Sequence, residues 1–178
     1  MIRTMHFMSL ALLAGVLAAG CNQIKTDGKT PVATLNEDDS TKYVLVDEPA
    51  GAKPVLAVRQ ESKDGDDVVV VGRIGGEVKP WVEGKAAFWI VDASIKSCKE
   101  TEDDDCKTPW DYCCLPKEEL RGAMATVKFV DDQGKTLASD ARQLLGVKEL
   151  QTVVVRGHAK RDEQGNLTVL ATGLYVRR

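Results

Sequence analysis

The segment from Asp67 to Gly76 reads DVVVVGRIGG. Four consecutive valines disfavour a helix, because β-branched side chains lose rotamer freedom there and pack well on a pleated surface. The glycine pair then ends the run. The same grammar recurs in AAFWIVD at Ala86–Asp92, in ATVKFVDDQGKTL with a turn at Asp132–Gly134, and in TVVVRGHAKRDEQGNLTVLATGLYV, a closing hairpin turning at Asp162–Asn166. Runs rich in Val and Ile, bounded by Gly and Asp clusters, read as strands. Five principal strands follow between residues 66 and 178, in a stretch large enough to bury a working core. Only short helices fit around them: about Lys53–Ser62, where Pro54 suits a first helical turn, Lys117–Leu120, and Ala141–Leu145. Five strands with a helix between the third and fourth predict a mainly β chain, a small closed barrel.

The amino terminus predicts an address. MIRTMHFMSLALLAGVLAAGC has one early arginine, an apolar run from Phe7 to Ala19, and small residues before Cys21. That is the layout of a secretory leader, and the run is too short for a spanning helix of about 20 residues. LAAGC resembles the lipobox of bacterial lipoproteins, with Ala18 where that pattern prefers leucine. The resemblance implies acylation of Cys21 (a palmitate-type anchor) and removal of residues 1–20. Acyl chains contribute about 0.8 kcal/mol per buried CH₂, so two or three of them hold a chain stably on a bilayer. The expected localisation is a bacterial cell membrane or outer membrane, facing periplasm or exterior. Residues 21–50 are polar and read as a lipidated tether, with YVLV at Tyr43–Val46 as a candidate extra edge strand. Residues 51–178 are the expected barrel domain.

VVVVGRIGG and VVVRGHAKRDEQGNLTVLA resemble the first and the fourth-to-fifth strands of OB-fold proteins, where glycines let strands bend around barrel corners. With the lipobox and TPWDYCC, the chain also resembles secreted planctomycete-type lipoproteins. The resemblance implies an OB-like binding scaffold without catalytic residues.

Charge narrows the partners. The whole chain carries a net −3, and losing residues 1–20 removes one arginine and no acid, giving −4. That disfavours a polyphosphate backbone, so nucleic acid is not an expected partner. An envelope protein, peptide or glycan is, besides the membrane itself. No phosphate-cradling loop, no G-x-S-x-G element and no selective carboxylate pair is present. His158 is the single histidine beyond the leader and reads as a surface or core residue. No catalytic residue and no cofactor is expected, so the chain reads as a non-enzymatic binding or interaction module. A purely structural envelope role is a further alternative. Phe88 and Trp89 are adjacent on a strand and must face opposite ways. An outward Trp89 is a candidate ligand contact, with Trp110 and Tyr112 as further candidates.

CKETEDDDCKTPWDYCCLP holds Cys98, Cys106, Cys113 and Cys114 within an insertion at about 93–122, between the second and third barrel strands. In an oxidising compartment an even number of cysteines reads as a disulfide framework. A bridge between adjacent Cys113 and Cys114 is strained. TPWD reads as a helix start, with Thr108 as cap and Asp111 reaching back to it, which would make the two cysteines diverge. The expectation is therefore two crosslinks, one each from Cys98 and Cys106 to Cys113 and Cys114, worth about 2–3 kcal/mol apiece in the chain-entropy model. A metal-handling or thiol-redox centre is the alternative. The spacings of seven, six and zero residues fit the C-x₂₋₄-C pairs of zinc sites poorly, and no C-x-x-C redox pair exists. The acids of TEDDD at Thr101–Asp105 read as a solvated loop.

Overall fold

The valine run does become the central strand of a barrel. The computed structural model describes residues 41–101 and 105–178; the leader, Cys21, most of the expected tether and Glu102–Asp104 lie outside the described residues. The elements are β1 (Lys53–Pro54), α1 (Val55–Glu61), β2 (Asp67–Ile74), β3 (Ala87–Asp92), a 3₁₀ turn (Cys98–Glu100), α2 (Lys117–Gly122), β4 (Met124–Phe129), α3 (Ala141–Leu145), β5 (Thr152–Arg161) and β6 (Leu167–Val176). The strand order β2-β3-β4-β6-β5 closes on itself through β2–β5 pairing, with β1 as an added strand on β2. Barrel neighbours are antiparallel except β4 and β6, which run parallel. This is the five-stranded OB-like barrel, and the cysteine insertion lies between its second and third strands.

Alternation fills the inside. Phe88 and Ile90 of β3, Val127 and Phe129 of β4, Val153 and Val155 of β5, and Leu167 and Val169 of β6 are fully buried in one core. Each such aliphatic or aromatic side chain contributes about 1.5–3 kcal/mol relative to exposure. Val55 and Val58 of α1, and Ala141, Leu144 and Leu145 of α3, join the same core. The helices end for local reasons. Asp140 caps α3 by accepting the Arg142 N–H at 2.9 Å, and Gly146 follows in a left-handed conformation at φ 65°. For α1, Pro54 is the cap residue and supplies no side-chain hydrogen bond. Asp92 of β3 reaches across instead, accepting the Leu56 N–H at 2.8 Å. At the other end the Arg161 guanidinium donates to the Val58, Arg59 and Ser62 carbonyls.

The expected corner at Gly75-Gly76 is a close approach to the insertion. A Cβ on Gly75 would collide with the Trp110 carbonyl, and the Gly76 N–H donates to that same oxygen at 2.7 Å. Gly157 marks a bulge against β6, where a Cβ would strike the Leu170 backbone.

YVLV is not a full strand. Val44 makes an isolated parallel bridge to Leu174, and the Leu45 N–H donates to the Leu174 carbonyl at 2.7 Å. Leu174 lies past the stretch of β6 that β4 covers, which leaves its backbone open to a neighbour. Tyr43 is buried edge-on against Phe129, with ring centroids 5.4 Å apart. The end of the expected tether thus packs on the barrel from Tyr43 onward. No helix among the described residues is long and apolar enough to cross a membrane.

Candidate functional site: a groove over Trp89 and the cysteine loop beside it

On β3, Phe88 points into the core and Trp89 points out, as the strand period requires. Trp89 pairs across the sheet with Thr126 of β4. The two strands floor a groove of about 570 Å³. Trp89, Thr126 and Lys128 come from the strands, Arg59 from α1, Arg121 from α2, and Gln164 and Asn166 from the β5–β6 turn. That turn is closed by Asp162, whose carboxylate accepts the backbone N–H of Gln164 at 3.0 Å and of Asn166 at 2.7 Å. Its carboxyl is held below the usual range, first by the Asn166 amide and then by these N–H groups. Arg59 is fixed by donating to the Met124 carbonyl at 2.9 Å, and burial draws its guanidinium below its ordinary value.

The groove thus offers one aromatic face flanked by amides, hydroxyls, guanidinium groups, an amine and the carboxylates of Glu77 and Asp162. Of these residues only Trp89 was singled out from the sequence. Thr126 and Lys128 alternate with buried Ala125, Val127 and Phe129, so the outward polar face of β4 was readable there. Arg59, Arg121 and Asn166 arrive from three other segments, which no local pattern connects.

The insertion packs on the outside of the barrel beside this groove. Val91, Tyr112, Leu120 and Met124 form a second, smaller core, with Trp89, Ile95 and Leu115 against it. Tyr112 is 1% exposed, so it is an anchor of the loop rather than a ligand contact, and burial raises its phenol above the usual range. Trp110 is half-buried, and its indole N–H donates to the Val78 carbonyl at 3.1 Å. A second cavity of about 370 Å³ lies over Tyr112 and Cys113, and Glu77, Arg121 and Met124 line both it and the groove.

The local fold around the cysteines differs from the helical turn expected at TPWD. Thr108–Asp111 is a β-turn closed by the Asp111 N–H on the Thr108 carbonyl at 2.9 Å. Pro109 occupies its second position, which fixed φ favours. The Thr108 hydroxyl donates to Asp111 Oδ2 at 2.7 Å, and Asp111 Oδ1 accepts the Cys113 N–H at 2.9 Å. Tyr112 then takes a left-handed φ of 55°, unusual for a bulky residue, and is held there by its burial. A further turn, closed by the Leu115 N–H on the Tyr112 carbonyl at 3.0 Å, carries Cys113 and Cys114 in its middle. Opposite them, Cys98 opens the 3₁₀ turn. Ser97 and Glu100 cap that turn reciprocally, and the Cys98 N–H donates to the Pro109 carbonyl at 3.2 Å. Glu100 accepts the Ser97 N–H and hydroxyl and pairs with Arg73 of β2. The Ser97 backbone first, with the Ser97 hydroxyl and Arg73 adding to it, holds its carboxyl below the usual range.

These turns gather the sulfurs. Cys98 Sγ lies 3.8 Å from Cys113 Sγ and 3.8 Å from Cys114 Sγ, while Cys106 Sγ lies 3.7 Å from Cys113 Sγ. A disulfide requires about 2.05 Å, and no pair of sulfurs among the described residues approaches it. The two expected crosslinks are therefore not supported. Cys98 faces two sulfurs at once and so does Cys113, so the loop collects thiols around one region instead of pairing them. The Cys113 thiol is pushed up by its hydrogen bonds with Cys106 and Cys98 and by Asp111.

His158 stands on the exposed side of β5, its Nδ1 2.9 Å from Asp67 Oδ1. No protein-family model matches the chain, and no curated protein matches it.

Proposed function

We propose that the protein is a membrane-anchored, non-enzymatic binding module of a bacterial cell envelope, and that the groove over Trp89 takes an oligosaccharide. The position of the groove carries this reading. It lies on the outer face of the second and third barrel strands, with the turn between the fourth and fifth at its rim. OB barrels use that face and those loops for oligonucleotides and oligosaccharides. The net charge of −4 expected after leader removal argues against the first of these ligands. An indole face beside planar amide and guanidinium groups suits a sugar ring, whose C–H face is apolar and whose hydroxyls need directional partners. The lipid on Cys21 would keep this face at the envelope, where glycans are abundant.

The test is calorimetric titration with soluble oligosaccharides from a bacterial cell-wall digest. Binding by the parent protein, and at least about tenfold weaker binding by Trp89→Ala with a far-UV circular dichroism spectrum that reports a folded barrel, is the expected result. Equal binding by the two proteins would remove the groove from the account. Labelling with a fatty-acid analogue checks the anchor: Cys21→Ser must abolish the label.

A further inference from the structure

We propose that Cys98, Cys106 and Cys113 form the thiolate core of a tetrahedral zinc site, with its fourth position taken by Asp111. The first argument is the length of the sulfur–sulfur contacts. Four ligands at the Zn–S distance of about 2.3 Å sit at the corners of a tetrahedron whose edges are about 3.8 Å. Two of the three edges among these thiols have that length, Cys98–Cys113 at 3.8 Å and Cys106–Cys113 at 3.7 Å, and the third lies within 4.8 Å. Both are far beyond a covalent bond and suit thiolates sharing one ion.

The second argument is convergence. The ligand atoms of Cys98, Cys106, Asp111 and Cys113 all lie within 4.8 Å of one another. They come from three separate pieces of chain: the 3₁₀ turn, the irregular segment at Cys106, and the paired β-turns. Asp111 reaches the fourth position, its Oδ1 4.0 Å from Cys106 Sγ, while Cys114 touches the cluster through Cys98 Sγ at 3.8 Å and stands outside this set. Soft sulfur donors in this arrangement select zinc or copper(I) over magnesium or calcium.

The third argument is support. Metal ligands are held by outer hydrogen bonds, and here the Cys113 N–H is fixed by Asp111, Asp111 by Thr108, and the Cys98 N–H by Pro109. Tyr112, between two of these groups, is locked by burial. The sequence spacing of the cysteines hid the site because it lacks the close pairs of a zinc finger. The turns at Thr108–Asp111 and Tyr112–Leu115 do the wrapping that those pairs usually do. Binding exchanges one thiol proton for each Zn–S bond formed, so charge and atoms balance without an oxidant or reductant.

The experiment uses the full chain, purified under reducing, metal-free conditions and titrated with Co²⁺ and then Zn²⁺. One Co²⁺ per chain is expected, with the intense sulfur-to-cobalt absorption of a tetrahedral thiolate site, bleached by one equivalent of Zn²⁺. Cys98→Ser, Cys106→Ser and Cys113→Ser should each weaken Co²⁺ binding by at least about tenfold, with far-UV circular dichroism reporting that the barrel is intact. Asp111→Asn should weaken it likewise. Full affinity in any of these four proteins would overturn the site. A variant-free arm covers the case in which a substituted loop misfolds. In the parent protein, Zn²⁺ should shield Cys98, Cys106 and Cys113 from alkylation, and a chelator should expose them. Equal alkylation with and without Zn²⁺ would defeat the proposal, as would two disulfides in the non-reduced protein. None of these readouts involves the groove ligand, so the two proposals stand or fall separately.

Discussion

Asp92 is the residue on which two elements depend. It is 1% exposed. Its Oδ2 accepts the Leu56 N–H, and its Oδ1 accepts the Ser94 N–H and hydroxyl. The first bond satisfies a donor at the start of α1 that no neighbour in sequence can reach. Asp92→Ala takes the acceptor from all three donors, and hydrogen bonds to charged groups are worth about 1.5–3 kcal/mol. Urea denaturation should show a loss of that size. Asp92→Asn, which keeps one acceptor, should lose less. At this scale the sequence was informative only where a side chain's partner lies nearby. The opposition of Phe88 and Trp89 follows from strand period alone. The roles of Asp92 and Arg161 do not, because Leu56 and the carbonyls of α1 are remote in the chain and become their neighbours only when β2 has paired with β3 and with β5. The cysteines failed for a related reason. A helical turn at TPWD was a sound reading of cap chemistry, but the same Thr, Pro and Asp also make a β-turn, and burial of Tyr112 decides between them.

Among the elements, α3 is a short helix whose ends are fully specified by Asp140 and Gly146. The Arg142 side chain, aided by its N–H, holds the Asp140 carboxyl below the usual aspartate range. A carboxyl held low in the folded state contributes stability above its unfolded pKa of about 3.9, and that contribution is lost as pH falls through the lower folded value. Asp140→Ala should therefore cost about 1 kcal/mol at neutral pH. The difference from the parent should shrink in acid, as read from urea midpoints at several pH values. The elements themselves were largely legible. α3 appears with its expected bounds, α1 begins at Val55 inside the expected span, and each β-branched run became a strand. The short β1 was not legible, because it exists only to occupy an open strand edge, and the edge strand expected at Tyr43–Val46 is reduced to the isolated bridge at Val44.

At the scale of the molecule, two cores divide the labour. The barrel core is continuous through β2–β6, whereas the satellite core under the cysteine loop rests on four buried residues. Phe88→Ala, in the first, should cost about 3–5 kcal/mol and lower the single melting transition of the barrel. Stability is not uniform across such a chain. In native-state hydrogen exchange, the amides of Val70, Val127 and Val155 should exchange slowest. Those of Ile95–Glu100 and Cys106–Leu115 should open separately, and more slowly in protein loaded with Zn²⁺ than in metal-free protein. A loop that exchanges only together with the barrel would contradict this division.

The seam between β2 and β5 has a kinetic consequence. It joins Asp67 to His158 and Arg73 to Thr152, so the valines of β2 have no partner on that side until the closing hairpin has been made. Pairings of such long sequence separation are entropically late, and barrels dominated by them fold in milliseconds to seconds. For that interval the chain presents four valines on an unpaired strand edge, the arrangement most prone to recruit another copy. Refolding yield should fall with protein concentration, and it should fall furthest for variants that slow the turn at Asp162–Asn166.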